Sequence, residues 1–516
     1  TAFRIAVSDG SFALGPKASR TIRIALTEAP APGVAPLTQE RTTVRLVAEA
    51  APRPIAYPLE IAAMTSLPPH NHPTLLVTRD EIGAIKAKVA KYDWAKKSYV
   101  KLVAEADAWL KRPVELPDRG GQWWHWYSCP KCGTRLKTLS PTRHQCPACK
   151  KVYSGEPYDS VVLSRVHSDL AKAVETLGLA VQLSGERHYA AKAAEILLAY
   201  AERYLTYKRH TTRGQDRVGG GRVGPQTLDE SAWLIPVVRG YDLVWETLTD
   251  EQRTKIEGKL LRPAAELIME HKIGIHNIQC WKNSAVGLVG ICLDEPRFLA
   301  DAVTSGRGIH AQLKRGILDD GTWFEGSWGY HYYTMSALEP LAIGLRHVGV
   351  DVYTDRYKGL YAAPLDFALP NGLLPAVNDS GEANAYGAWY RYEVAYARWR
   401  DPKFAAMLEG RSRVSRDSLL FGEAELEEGA ELPGGSRNYP VAGYAYLQPD
   451  AGKDAPVAIL DYAPHGGGHG HPDKLQLLFY ANGEIVAPDP GCIHYGVPLH
   501  REWYKQTVSH NTVVVD

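Results

Sequence analysis

Two periodicities divide this chain. Up to about residue 65, apolar and polar positions alternate. TIRIALTE and TTVRLVAE hold a period of two on either side of a Pro-rich APAPGVAP loop, the pattern of half-buried strands. From about residue 78 the apolar positions recur every three to four residues. TRDEIGAIKAKVAK opens with Thr78 and carries Glu81 three residues on, a capping box. The same period predicts helices over 161–183, 190–204, 229–246, 251–271, 278–293, 300–317 and 331–348. Joints as short as LSGER (183–187) and TLTDEQ (247–252) connect them. Connections that short make consecutive helices antiparallel neighbours. About ten to twelve such helices predict stacked helical hairpins in an (α/α) toroid, an incomplete barrel. No sequence repeat is visible, so a solenoid is not expected.

Near residue 420 alternation returns. NYPVAGYAYLQPD, APVAILDY, KLQLLFYANGEIVAPD and HNTVVVD read as strands, with Asn482-Gly483 a strong hairpin turn. The expected class is α+β and multidomain. It comprises a small N-terminal β domain (1–70), an (α/α) toroid (71–420) and a C-terminal antiparallel β-sandwich (421–516). The chain ends inside an apparent strand, so the sandwich is expected to be incomplete here. Thr1 already lies in strand-like sequence, which fits a leader that has been trimmed.

Composition changes this picture little. With 516 residues, 45% hydrophobic and 23% charged, the chain is an ordinary globular one with room for several cores. A formal net charge of +1 gives no general footprint for nucleic acid or an anionic membrane. No apolar run is long enough to span a bilayer. Trp (13) and Tyr (28) outnumber Phe (8). Amphipathic rings in that excess suit a sugar-stacking groove and suit ordinary cores almost as well.

Four of the seven cysteines form Cys129-x2-Cys132 and Cys146-x2-Cys149. Each pair sets two thiolates on one tight turn, and two turns complete a tetrahedral shell for a structural Zn2+. A pair of disulfides or a redox CxxC is the alternative. A closed four-thiolate shell leaves no open position, so no catalysis is assigned to it. The ribbon spans about 126–153 and is expected to staple a loop inserted between the first toroid helices. QWWHWY (122–127) leads into it. Its Trp124 is a candidate for a sugar-cleft wall, with packing against the ribbon the alternative. Cys280, Cys292 and Cys492 read as buried thiols.

HGGGHGHPDK (465–474) places titratable side chains among glycines, the residues that lose most backbone entropy on ordering. Downstream come Asp489 in VAPDPG and His510 in SHNT. His471, Asp489 and His510 are a common donor set for a divalent metal. A two-residue turn at Asn482-Gly483 would set Asp489 opposite Gln476, leaving His471 about 16 Å back along a straight strand. The ligands meet only if the chain folds back, which the glycines permit. A surface loop with incidental histidines is the alternative. Two toroid stretches complete the chemistry: HNIQCWKNSAVG, opening a helix at His276, and DDGTWFEGSWGYHYYT, carrying Tyr330. Trp281, Tyr332 and Tyr333 read as core.

Together, HNIQCWKNSA, DGTWFEGSWGYHYY, NDSGE (378–382), HGHPDKLQLLFYANGEIVAPDPG and SHNT resemble the heparinase II/III-like polysaccharide lyases, over most of residues 75–516. Members combine an (α/α) toroid with an antiparallel β-sandwich and cleave glycosaminoglycans or alginate. The resemblance implies an acidic polysaccharide or oligosaccharide as partner, and a periplasmic or secreted protein. It implies Tyr330 as the catalytic tyrosine, and His276 as the toroid histidine serving as base or carboxylate partner. His469 would be the sandwich histidine that reaches into the cleft. His471, Asp489 and His510 would be metal ligands, with Zn2+ the expected ion. Family members often read Asn-His where this chain has His276-Asn277, so either of the two is a candidate to touch the uronate. Asn277 and Gln279 are candidate donors to the sugar carboxylate. Arg165 and Gln226, at cleft-side helix starts, are candidate substrate-binding residues.

The chemistry so implied is β-elimination at a uronic acid. A base removes the C5 proton, an acid protonates the departing O4, and a C4–C5 double bond forms. Charge on the carboxylate must be stabilised by preorganised donors. Tyr330 can do both jobs where C5–H and O4 share a face; otherwise His276 or His469 is the base. Two other readings stand: an (α/α) glycoside hydrolase using two of Glu325, Asp379 and Glu382, and a non-catalytic carbohydrate-binding protein.

Overall fold

The structure, a computed structural model, describes residues 4–515 apart from 9, 15–17, 29–32, 49–54, 433, 451, 453 and 465. His465, the first histidine of the glycine-rich stretch, therefore lies outside the described residues. The chain divides into two compact units, Thr1–His70 with Val348–Val350, and Asn71–His347 with Asp351–Asp516. In the first, the alternating segments form two antiparallel pairs, Arg4–Val7 with Ile24–Glu28 and Gln39–Ala48 with Ile55–Met64.

The second unit holds the helices. Thr78 caps Arg79–Lys91 in the expected capping box, with Glu81 reaching back to the Thr78 N–H. Tyr158–Ser184, Thr227–Val244, Asn277–Cys292 and Trp328–His347 pack side by side in that order. Asn277–Cys292 is buried almost all round, as befits an inner helix of a layered assembly. The hairpin partners, such as Arg187–Arg203 beside Tyr158–Ser184, lie against this inner row. One expected helix breaks. The 300–317 stretch turns once over Ala300–Thr304, stops, and resumes at Ile309–Gly316. The backbone of Ser305–Gly308 turns there (Gly308 N–H to Ser305 C=O, 2.9 Å), and Gly308 starts the second helix.

Between Asp93–Leu110 and Tyr158–Ser184 sits the cysteine ribbon, a three-stranded sheet of Lys137–Ser140, Arg143–Gln145 and Val152–Tyr153. Tyr127, Cys129, Leu136, Cys146 and Val161 form its core against the long helix. His144 bridges Tyr127 Oη (2.7 Å) and Asp159 Oδ1 (2.8 Å), tying ribbon to helix.

Of the expected sandwich, the described residues form one five-stranded antiparallel sheet: Arg437–Tyr439, Tyr444–Leu447, Val457–Asp461, Gln476–Ala481 and Glu484–Ala487. Alternate residues of Val457–Asp461 and Gln476–Ala481 are buried. That face docks on the end of Asp355–Phe367: Tyr446 Oη donates to Phe367 O (3.0 Å) and Arg437 Nη2 to Ala368 O (3.0 Å). The described residues of the final HNTVVVD, 510–515, form no strand. Leu477 N–H donates to Asn511 O, and the Asn511 and Thr512 side chains anchor on Pro488 O and Lys474 O instead of extending a ladder. The hairpin keeps its Asn482-Gly483 turn, but a bulge at Phe479/Tyr480 shifts the register past it.

Candidate active site

The site forms where two helix starts meet the loops around the sheet. His276 is the N-cap of Asn277–Cys292. Its Nδ1 accepts the Ile278 N–H at 3.2 Å. A backbone N–H can only donate, so Nδ1 carries a lone pair and the neutral ring holds its proton on Nε2. That Nε2 lies 3.4 Å from Glu325 Oε1. Burial, partly offset by Glu325 and reinforced by His469, depresses the His276 pKa, so the ring is neutral at pH 7.

Tyr330 stands in the first turn of Trp328–His347. Its ring stacks on His469 with centroids 3.6 Å apart, and His469 lies 6.2 Å from His276. The glycine-rich stretch makes this meeting possible. It folds into a tight turn over Gly467–His469 and presses on the loop that carries Glu325. A Cβ on Gly466 would stand 2.6 Å from Glu325 O, a distance no side chain tolerates. Tyr330, His276 and His469 are only partly buried, so all three keep access to solvent.

Two buried carboxylates organise the imidazoles. Glu325, 3% exposed, accepts from Trp323 Nε1 (2.6 Å) and from Asn277 through both Nδ2 (3.0 and 2.8 Å) and N (3.2 Å). Asp379 faces three imidazoles: His469 Nδ1 at 2.9 Å, His471 Nε2 at 3.0 Å and His500 Nε2 at 3.0 Å. Burial pushes its pKa up. The hydrogen bonds from these rings and the Lys505 charge outweigh it and hold the carboxyl well below the usual carboxylate range. With Nδ1 turned to an ionised carboxylate, His469 leaves Nε2 on its other side, 3.6 Å from Glu325 Oε1.

Several expected residues do not join this cluster. Asn277 is 1% exposed and its amide NH2 is spent on Glu325, so it is not free for a sugar carboxylate. Gln279, also 1% exposed, bonds Ile273 N and Asn283 behind the helix start. It lies two positions from Asn277, hence on another helix face. Trp124 and Arg165 stack on each other, guanidinium to ring 4.1 Å, and Trp124, partly buried, packs against the ribbon core. They also line a separate cavity of about 450 Å3 with Gln122, Ser164, Lys172 and Asp229. The Gln226 side chain reaches only Asp229 Oδ2 (3.3 Å).

Sequence reasoning missed Tyr495. Its hydroxyl lies 2.7 Å from the Tyr330 hydroxyl and 3.4 Å from His469 Nδ1. It sits in GCIHYGVPLH, which has no periodicity to flag it; the cue was an aromatic and histidine-rich loop just after Asp489. His500, in the same stretch, was missed too. Burial raises both phenols above their ordinary pKa, and for Tyr330 the Tyr495 hydrogen bond opposes that rise.

Both donor sets expected from the sequence converge as metal shells would, among five such groups in the described residues. One donor atom each from Cys129, Cys132, Cys146 and Cys149 lies within 4.8 Å of the others. The Cys129–Cys149 Sγ separation is 3.8 Å, the edge of a tetrahedron with legs of about 2.3 Å. All seven cysteines are unpaired in the structure. His471, Asp489 and His510 converge equally closely. His471 is fully buried and its Nδ1 has no hydrogen-bond partner, a polar atom that a cation would satisfy. The bulge brings Asp489 beside Gln476 through side chains, Nε2 to Oδ2 2.7 Å.

Comparison with known proteins gives this geometry a lineage. The model for the Heparinase II/III-like C-terminal region matches residues 431–516. An alginate lyase of Stenotrophomonas maltophilia is 29% identical over 401 residues, 68% of this chain and 51% of that protein. An exo-oligoalginate lyase of Saccharophagus degradans is 24% identical over 502 residues, 89% of this chain and 62% of that protein. The chain thus spans between about half and two thirds of the length of these curated relatives. A solved alginate lyase of Bacteroides ovatus aligns with 69% of this chain and 100% of its own at 16% identity and a TM-score of 0.49. The Alginate lyase family model matches residues 90–375, more than half of the chain, and the chain therefore belongs to the alginate lyase family.

Proposed function

We propose that this chain is a polysaccharide lyase that cleaves uronate polymers by β-elimination, with alginate its favoured substrate. The observation that carries the reading is the stack of Tyr330 on His469 at 3.6 Å, with the Tyr495 hydroxyl 2.7 Å from that of Tyr330. The preference for alginate over glycosaminoglycans rests on the curated relatives, both alginate lyases.

In this reading His276 donates through Nε2–H to the sugar carboxylate and stabilises the charge that develops there. Its Nδ1 is committed to capping a helix, which disfavours it as a base. Where C5–H and O4 lie on opposite faces, His469 Nε2 takes the C5 proton. The C–H pair becomes the C4–C5 double bond, the C4–O4 bond breaks, and Tyr330 gives its proton to O4. Where they share a face, Tyr330 has to start as a phenolate, which takes the C5 proton and passes it to O4 while Tyr495 donates to its charged oxygen; the raised Tyr330 pKa works against this route. A phenol whose pKa is raised by burial is protonated at neutral pH and suited to the acid role.

Zn2+ is the ion we assign to the four-cysteine shell and to His471, Asp489 and His510. When bound it would fix loop geometry, and no proton transfer is assigned to it. Catalysis falls to 71–420, with 421–516 supplying His469 and Tyr495. No helix of the described residues is long and apolar enough to cross a membrane, and a periplasmic or secreted location fits a polymer substrate. The hydrolase reading is disfavoured by geometry, since Glu325 and Asp379 are buried 3% and 6% exposed and tied to imidazoles or amides. The test is ultraviolet absorbance of products on alginate, hyaluronan, chondroitin sulfate and heparan sulfate. Rising absorbance on alginate supports the proposal; sugar release without absorbance means hydrolysis, and binding without turnover means a carbohydrate-binding protein.

A further inference from the structure

The cysteine ribbon does more than staple a loop. Residues 488–498, which carry Tyr495, form no strand or helix, so their backbone is placed by outside contacts. At its start the segment is held by Asn511 and by the backbone of Ala376 and Ser380; around His494–Gly496 the contacts come from the ribbon and its lead-in. Arg135 Nη2 donates to His494 Nδ1 at 2.9 Å. The Tyr495 N–H donates to His125 Nδ1 (3.4 Å), and the His125 ring lies 4.6 Å from the Tyr495 ring. Trp123 stacks beyond at 6.3 Å. A Cβ on Gly496 would stand 2.5 Å from His125 O, so the two backbones touch.

Arg135 is itself held. Its Nη1 donates to Trp124 O (3.2 Å) and its guanidinium lies 4.1 Å over the Trp124 ring. Both histidines must offer a lone pair for these bonds. Burial pushes the His125 pKa down to about 4, with His494 and Arg135 adding to it. Burial and then Arg135 lower His494. The far end of the same loop delivers the Tyr495 hydroxyl to Tyr330.

We infer that Arg135 and His125 are positioning residues, through which the cysteine ribbon sets the place of the Tyr495 hydroxyl against Tyr330. The inference rests on the lyase reading for its kinetic readout alone. Misplacement of a reacting group by about 1 Å costs up to roughly a hundredfold in rate, so a loosened loop acts on turnover before it acts on binding.

The experiment compares wild type, Arg135→Ala, Arg135→Lys, Tyr495→Phe and the double variant Arg135→Ala/Tyr495→Phe, with amide hydrogen exchange over 493–500. Arg135→Ala should lower kcat about tenfold with KM within about twofold. It should speed exchange in that loop, and Arg135→Lys should restore part of both. In the Tyr495→Phe background the Arg135→Ala loss should shrink to within about twofold, because the group being placed is gone. An unchanged kcat, or an equal loss in both backgrounds, overturns the inference. If Arg135→Ala fails to fold, Gly496→Ala presses the same contact from the loop side and carries the same expectations. Failure of the lyase reading looks different: wild type then yields no ultraviolet-absorbing product on any uronate polymer, and loop exchange alone decides the positioning claim.

Discussion

The Asp379 carboxylate serves three imidazoles at once; His471 and His500 are buried, and His469 is partly exposed. His469 takes its Nδ1 contact from Oδ2, while His471 and His500 share Oδ1. Asp379→Asn removes the charge that fixes these tautomers and leaves a buried amide with mismatched donors. Turnover should fall at least about a hundredfold, measured as kcat on alginate, with the fold retained by circular dichroism. His276 gives a pH signature. Its pKa is depressed, so the neutral, capping form persists below the ordinary value of about 6.5, and the Nδ1 cap is lost only as pH falls through the lowered value. The midpoint of the His276 ring titration, followed by NMR, should lie below pH ~6.5. Glu325 favours the imidazolium, so Glu325→Gln should move that midpoint to still lower pH; a midpoint moving upward contradicts the assignment.

At the scale of elements, the glycine-rich turn is the joint between helices and sheet. Gly466→Val places a side chain against Glu325 O and should push His469 off Tyr330. We expect a loss in kcat of about a hundredfold, with thermal melting little changed because the sheet itself is untouched. Elements with strong local signals were legible in the sequence. The Thr78 capping box, the Asn482-Gly483 turn and the paired CxxC knuckles each follow from a few adjacent residues, and each has the geometry expected of it. Tyr330, His276 and His469 came from the family resemblance. Tyr495 and His500 were illegible because GCIHYGVPLH (491–500) carries no period, and their placement depends on Arg135 and Asp379, far away in sequence. Gln279 misled for a related reason. Proximity in sequence does not say which side of a helix faces the cleft, and its partners Ile273 and Asn283 decide that. The register bulge at Phe479/Tyr480 likewise has no local mark.

At the scale of the molecule, the groups proposed to be catalytic come from both ends of one compact unit, Asn71–His347 with Asp351–Asp516. The helical part supplies His276 and Tyr330, and the C-terminal part supplies His469 and Tyr495. Metal analysis of the purified chain should find about two Zn2+ per chain, one lost in Cys132→Ser and the other in His471→Ala. Each loss should lower the melting temperature, since ligand binding to the folded state is folding free energy. An unaltered metal count in either variant would remove that site from the account.

The claim on which the rest depends is that the Tyr330 hydroxyl moves a proton at a uronate held between these two parts. The most direct measurement is turnover of Tyr330→Phe on alginate, followed by ultraviolet absorbance beside a binding assay on the same polymer. The account predicts binding within a few-fold of wild type and a rate lower by about 10² to 10⁴. A Tyr330→Phe variant that turns over at a rate close to wild type would contradict it.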